Sequence, residues 1–230
     1  MARIAVLGGA ESGVGAAVLA KVKGFDVFLS DMGSIADKYV ETLNKWEIPF
    51  EQGGHSEDLI LNADEIIKSP GIPCTAPLVK KAEEIAEIDA ACVLGQQMHT
   101  IARKGIRPGR IEQEIVGDME GYTLGRGWGV SFPTILTQHG EIFHCHSHDC
   151  LIEPGRLMVI DAGAETNVHY ASDFTRTYPT GGRFTSKQRD IYQTVYECNE
   201  LAYSLVKPGT TYRSVHIAAV THMLENLSQI

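Results

Sequence analysis

The sequence predicts an α/β domain built on a parallel sheet over residues 1–80, followed by an α+β domain over residues 81–230. Three observations carry that expectation. Short apolar runs alternate with helical stretches through the first third of the chain, the rhythm of strand, crossover helix and parallel strand. A helical pattern near 29 residues long then runs from Ala76 to about Lys104, where the character of the chain changes. Beyond it, longer apolar strands and further helices follow without strict alternation.

Taken in order, Ile4–Leu7 reads as a strand, Gly8–Gly15 as a glycine-rich turn and Ala16–Lys23 as a helix. Val27–Ser30 is a second strand, Ile35–Lys45 a helix, and Glu65–Lys68 a strand ending in Ser-Pro-Gly. Gly105 and Arg107-Pro108-Gly109 stop the long helix. A helix over Glu112–Leu124 leads to strands at Val130–Thr137, Leu157–Asp161 and Tyr170–Tyr178, then to helices over Ser186–Leu205 and Tyr212–Leu227. Ile85, Ile88, Cys92 and Gly95 keep a helical stripe through the region where the two domains join, near Val79–Glu83. Ile106-Arg-Pro-Gly109 recurs as Val206-Lys-Pro-Gly209, each followed by a helix, which suggests a weak internal repeat. The first copy runs on into strands, whereas the second is expected to reach Ile230 before its strands begin.

Composition bounds the function. The 230 residues are 43% hydrophobic, enough for a real core, and the net charge of −9 argues against general affinity for nucleic acid or anionic membranes. No apolar run approaches the roughly 20 residues that span a bilayer. The chain enters a strand at once, so no signal peptide is expected. The five cysteines lack a disulfide spacing, and reduced thiols with a cytoplasmic location are the expectation. Cys145 and Cys150 flank histidines, which leaves zinc open there beside plain thiols.

Two aspartates stand out. Asp161 and Asp173 each lie in an apolar, strand-forming run, where a carboxylate is costly unless a positive charge meets it. The segment between them reads as a β-hairpin whose midpoint is Asn167, which sets the aspartates directly opposite each other. Opposed residues share a face with Cβ atoms roughly 5 Å apart. Two like charges at that distance repel, and a divalent cation or a pair of them relieves the repulsion. One aspartate in a turn and one paired with Arg176 is the alternative.

In the first half, a strand, Gly8-Gly-Ala-Glu-Ser-Gly13-Val-Gly15 and a helix present backbone amides at a helix start, a natural anion site. Asp31 follows the second strand, where a Rossmann-like nucleotide domain puts its ribose-binding acid, although Ala10 replaces the fingerprint's second glycine. Tight-turn glycines without a ligand fit the same pattern. With Phe-Leu-Ser-Asp31-Met, Asn62-Ala-Asp and Ile67-Lys-Ser69-Pro-Gly-Ile-Pro73, residues 1–80 resemble the first domain of the UDP-N-acetylmuramoyl-alanine:D-glutamate ligases. The resemblance implies that Glu11, Ser12 and Gly13 hold the diphosphate of a UDP-sugar, with Asp31 near the uridine and Ser69 at the third strand end. The family's Gly-Lys-Thr ATP loop does not occur in this sequence, so binding without ligase chemistry is the expectation.

In the second half, the histidine-dense Thr137-Gln-His139-Gly-Glu-Ile-Phe-His144-Cys-His146-Ser-His148 precedes Leu157-Met-Val-Ile-Asp161-Ala-Gly and Tyr170-Ala-Ser-Asp173-Phe-Thr-Arg-Thr. Together they resemble the Xaa-Pro aminopeptidases, which implies an incomplete pita-bread fold from about residue 84 onward. By that resemblance Asp161 and Asp173 are metal ligands for Mn, Co or Zn, and His144 contacts a peptide with proline at its second position. A water activated by two metals would remove the residue ahead of proline. That centre takes a further histidine and two glutamates. His216, His222, Glu197, Glu200 and Glu225 read as helix-surface residues instead, so the expected domain is inactive as it stands. His146 and His148 read as solvent-facing strand positions and His139 as part of a turn. An unpaired sheet edge and apolar face in the second domain favour a homo-oligomer. A UDP-binding module and a rearranged chimera without an evolved function are the other readings.

Overall fold

A computed structural model describes residues 1–228 of the chain. Gln229 and Ile230, the last two residues of the expected second domain, lie outside the described residues. The chain divides into two compact units, Met1–Ala90 and Ala91–Ile230.

The first unit is a four-stranded parallel sheet of order β3-β2-β1-β4. Its elements are β1 (Arg3–Leu7), α1 (Glu11–Val22), β2 (Asp26–Asp31), α2 (Asp37–Lys45), β3 (Phe50–Gln52), α3 (Glu57–Leu61) and β4 (Glu65–Lys68). β1 is interior to the sheet and apolar from Ile4 onward, as a strand covered on both faces must be. One face packs Ile4, Val6, Val27 and Leu29 against α1 and α2 residues such as Val14, Ala17 and Leu43. The other packs Ala5 and Leu7 against Ile60, Leu78 and Val79. β3 and α3 are short and polar enough that the sequence hid them. The glycine-rich turn is also shorter than expected: α1 begins at Glu11, so only Gly8, Gly9 and Ala10 form the turn.

α4 (Pro77–Gly105) is one unbroken helix of 29 residues. The expected stripe changes character along it. Ile85 and Ile88 are exposed, Cys92 is half-buried and Gly95 is buried. Gly95 must stay small, because a Cβ there would lie 2.5 Å from Ser172 Oγ and 3.0 Å from the Phe174 ring.

The second unit continues with α5 (Glu112–Leu124), β5 (Gly129–Val130), β6 (Ile135–Thr137), β7 (Leu157–Ala162), β8 (Ala164–Glu165), β9 (Phe174–Pro179), α6 (Ser186–Leu205) and α7 (Tyr212–Leu227). The strand expected over Val130–Thr137 is broken at Pro133: β5 pairs with β8, while β6 joins the antiparallel sheet β6-β7-β9. The strand expected from Tyr170 starts only at Phe174. Met98, Ala102, Ile115, Met119, Leu136, Met158 and Ile160 form the core between this sheet and the helices. α6 opens on a capping box in which Thr185 and Gln188 satisfy each other's backbone amides. The two Pro-Gly turns have matching geometry. Arg110 N donates to Arg107 O, Thr210 N donates to Lys207 O, and Gly109 and Gly209 have φ of +89° and +88°.

Candidate functional site

Asp161 lies on β7 and Asp173 immediately ahead of β9, but not in the expected register. Asp161 faces Thr175 and Ala162 faces Phe174, and the same ladder continues to the bridge between Glu165 and Ala171. The midpoint is therefore Val168 rather than Asn167, and Asp173 is the diagonal neighbour of Asp161, not its direct partner. The slip is two residues, and side chains alternate with period two, so both aspartates keep the same face. Gly163 allows the strands to close: a Cβ there would lie 2.5 Å from Ser131 Oγ and closer still to Ser172 O.

The two carboxyl groups interact. The Asp173 carboxyl titrates above the usual range, first through partial desolvation, then through the Asp161 charge and a hydrogen bond shared with it. Thr175 Oγ1 donates to Asp161 Oδ1 at 2.8 Å. Arg176 is not the counter-ion: it donates to Thr175 O at 2.8 Å, stacks over Phe174, and makes no ion pair with either aspartate among the described residues. The donor set suits a hard divalent cation in kind, since it offers carboxylate and hydroxyl oxygens. In number it falls short. No group of three or more His, Cys, Asp or Glu that could hold a metal occurs among the described residues.

His99 is the site neighbour that sequence reasoning missed. It is buried on α4, its Nε2 lies 3.2 Å from Ala162 O, and its ring meets Phe174 edge-on with centroids 6.2 Å apart. Burial pushes the imidazole pKa down, against the pull of the Ala162 and Phe174 carbonyls. A signal was available, since His99 lies four residues after Gly95 and continues the stripe through Cys92.

The histidine-dense segment forms a loop, not a strand. His144 is exposed in that loop with φ of +53°, and His146 is exposed as well. His148 corrects the expectation of a solvent-facing strand position. It is 9% exposed, and its Nδ1 lies 3.0 Å from Leu136 O. His139 lies in the expected turn, with Nδ1 3.0 Å from Glu141 Oε1. Both ends of the loop are tied to the start of α5. Glu112 is fully buried, its Oε1 accepts from Gln138 N at 2.8 Å, and its backbone N–H donates to Cys150 O. Gln113 N donates to His148 O. Burial raises the Glu112 pKa, against the lowering effect of the Gln138 N–H and the nearby His148 and His139. Cys145 and Cys150 are free thiols, and Cys145 Sγ donates to Ser147 O.

His216, His222, Glu197, Glu200 and Glu225 lie on α6 and α7, as expected. His222 Nε2 sits 3.2 Å from Glu197 Oε2, and Cys198 donates to Ala219 O, so these groups fasten the two helices together.

In the first unit, the C-terminal ends of β1, β2 and β4 meet at the glycine turn. Asp31 accepts from Gly9 N at 2.5 Å and from Gly33 N at 2.7 Å, which commits its carboxylate to the turn backbone. Glu11 and Ser12 are exposed in the first turn of α1, where no side chain caps the helix. Gly13 packs so tightly that a Cβ would meet Gly8 O and come within 2.9 Å of Ser69 Oγ. Ser69 Oγ is buried beside this turn and has no hydrogen-bond partner among the described residues.

Residues 86–229 match the model of metallopeptidase family M24. The chain belongs to metallopeptidase family M24. Its N-terminal part is of a different kind: residues 3–77 match the MurD N-terminal domain, so this M24 chain is a chimera of the two. Over 161 residues it is 42% identical to Xaa-Pro aminopeptidase 2 of Streptomyces coelicolor, covering 65% of this chain and 33% of that one. Over 96 residues it is 57% identical to UDP-N-acetylmuramoylalanine–D-glutamate ligase of Bacteroides thetaiotaomicron, covering 40% of this chain and 22% of the ligase. Zn-substituted Escherichia coli aminopeptidase P, solved in complex with product, superposes with a TM-score of 0.60 at 27% identity, over 90% of this chain and 47% of that one. The M24 chain thus spans a third or less of these two curated relatives. The second unit has the aminopeptidase P-like pita-bread fold in part, beside the parallel-sheet domain. No helix among the described residues is long and apolar enough to cross a membrane.

Proposed function

We propose that the M24 unit is of the Xaa-Pro aminopeptidase type and that this chain, by itself, binds a divalent cation without turning over peptide. The observation that carries this reading is the shared face of Asp161 and Asp173, whose mutual repulsion a cation would relieve. Bound there, a divalent cation would supply Lewis acidity toward a carbonyl oxygen or a water. Asp161 and Asp173 would hold it, Thr175 would fix the Asp161 carboxylate through its hydroxyl, and His144 would meet the peptide from its loop. Because two carboxylates are all that gather there among the described residues, affinity is weak and catalysis awaits further ligands. Calorimetric titration with Mn²⁺ is expected to give weak binding that Asp161→Asn and Asp173→Asn each abolish, and no cleavage of Xaa-Pro peptides. Robust turnover by the purified chain, or binding indifferent to both substitutions, would contradict the reading.

A second reading concerns residues 1–80, as a UDP-sugar binding module without ligase activity. Supporting it is Ser69 Oγ, a buried hydroxyl without a partner beside the Gly8–Gly13 turn, where a diphosphate oxygen would accept from it. Glu11, Ser12, Gly13 and Asp31 would complete that subsite. Calorimetry with UDP-N-acetylmuramoyl-alanine is expected to show binding, with slowed exchange of the Gly9 and Gly13 amides. No heat and unchanged exchange would sink it.

A further inference from the structure

Asp161 and Asp173 point to one face of the β7–β9 pair, and the residues beside them point to the other. Ala162, which follows Asp161, faces Phe174, which follows Asp173, in the rung where β9 begins. Behind that rung runs α4. Its buried His99 has Nε2 3.2 Å from Ala162 O, and the ring meets Phe174 edge-on. One turn earlier on the helix, Gly95 lies so close to Ser172 Oγ and the Phe174 ring that a Cβ would not fit. Four residues of helix rise about 6 Å, near the spacing of about 4.8 Å between neighbouring strands. A helix crossing the pair can therefore meet both strands with residues one turn apart. His99 meets the residue after Asp161, and Gly95 meets the residues on either side of Asp173.

A backbone carbonyl only accepts, so Nε2 carries the proton and donates to Ala162 O. Nδ1 is buried without a hydrogen-bond partner among the described residues, which leaves that nitrogen bare and the ring neutral. A leucine would fill the same space between α4 and the sheet without the cost of burying an unpartnered nitrogen. The donor is what the histidine adds. We propose that His99 is a positioning residue for the Asp161–Asp173 pair. Its Nε2–H fixes the Ala162 carbonyl and its ring fixes Phe174, and both are anchored on one rigid helix. Together these contacts set the spacing and direction of the two carboxylates, which project from the opposite face of the strands. His99 acts on them through the backbone, as an outer partner that orients the groups facing a ligand. The inference deepens the cation reading of the pair, and only one of its readouts depends on that reading.

In the wild-type chain, long-range nitrogen–proton NMR of His99 is expected to show Nε2 protonated and Nδ1 bare, and a proton on Nδ1 instead would overturn the proposal. His99→Leu keeps the apolar packing and removes the donor, whereas His99→Gln keeps an N–H at a similar reach. At one fixed pH and without metal, the carboxyl carbon signals of Asp161 and Asp173 are expected to shift in His99→Leu and to return toward their wild-type positions in His99→Gln. Titration with Mn²⁺, read by water-proton relaxation, is expected to give a dissociation constant about tenfold higher in the leucine variant and close to wild type in the glutamine variant. A histidine that only fills space gives the opposite ranking, because leucine packs there better than glutamine. Carboxyl signals that His99→Leu leaves in place, or that His99→Gln fails to restore, would overturn the proposal. If the wild type binds no Mn²⁺ while the carboxyl signals respond as stated, the cation reading fails and the positioning role stands. Should His99→Leu lose its wild-type circular dichroism, His99→Met takes its place with the same expected and opposing outcomes.

Discussion

Asp173 is exposed yet titrates high, and its neighbour Asp161 is one of the reasons. Asp161→Asn removes one negative charge and offers the Asp173 carboxylate an amide donor. The Asp173 titration is then expected to move down toward the ordinary aspartate range, read by carbon NMR of its carboxyl group. A midpoint that does not move would mean that the two groups are not coupled. Residue chemistry of this kind was legible early, since two carboxylates in apolar strands need an explanation wherever they occur. Their register was not. It is set by the turn around Val168, where Thr166 N donates to Tyr170 O and His169 takes a φ of +69°. Nothing in the residue types announces that His169 adopts a left-handed conformation, and the expected centre fell one residue early.

At the scale of elements, the start of α5 and the loop it anchors depend on Glu112. Glu112→Ala would leave the Gln138 N–H without its acceptor in a buried place, at a cost of about 1–3 kcal/mol in chemical denaturation. Glu112→Gln keeps an acceptor and removes the charge. The folded pKa of Glu112 lies above its unfolded value, so its contribution to stability is full below the ordinary glutamate range and is lost as pH rises through the raised value. The glutamine variant is therefore expected to gain melting temperature over the wild type as pH goes from acid to neutral. Equal pH profiles would contradict that. Long helices were easy to read: α4, α5, α6 and α7 are long runs without an internal proline, set off by Pro-Gly pairs or a threonine. β3, α3 and the split of β5 from β6 were harder, because elements of two to five residues carry too few side chains to show a period. Glu112 itself gave no sign, since a glutamate at a helix start is normally solvated and only the folded loop encloses it.

At the scale of the whole molecule, the MurD-type match ends and the M24 match begins within the run of one continuous helix, α4. Both resemblances could be read in the sequence because motifs occur in order within each half, whereas the edge position of β4 could be seen only in the sheet order. The matched turns at 107–110 and 207–210 have a consequence for how the chain reaches this state. The second turn joins α6 to α7, whose backbone amides bond within their own helices to carbonyls four residues away, while Cys198 and the Glu197–His222 pair pack the two helices on each other. The antiparallel sheet must instead bring β6 to β7 across the intervening histidine loop. Local closure is fast and distant closure slow. In pulse-labelled refolding, the amides of α6 and α7 are therefore expected to gain protection before those of β6, and the reverse order would refute it. The molecule would then assemble from its helices inward, with β6 among the last elements to join the sheet that carries Asp161.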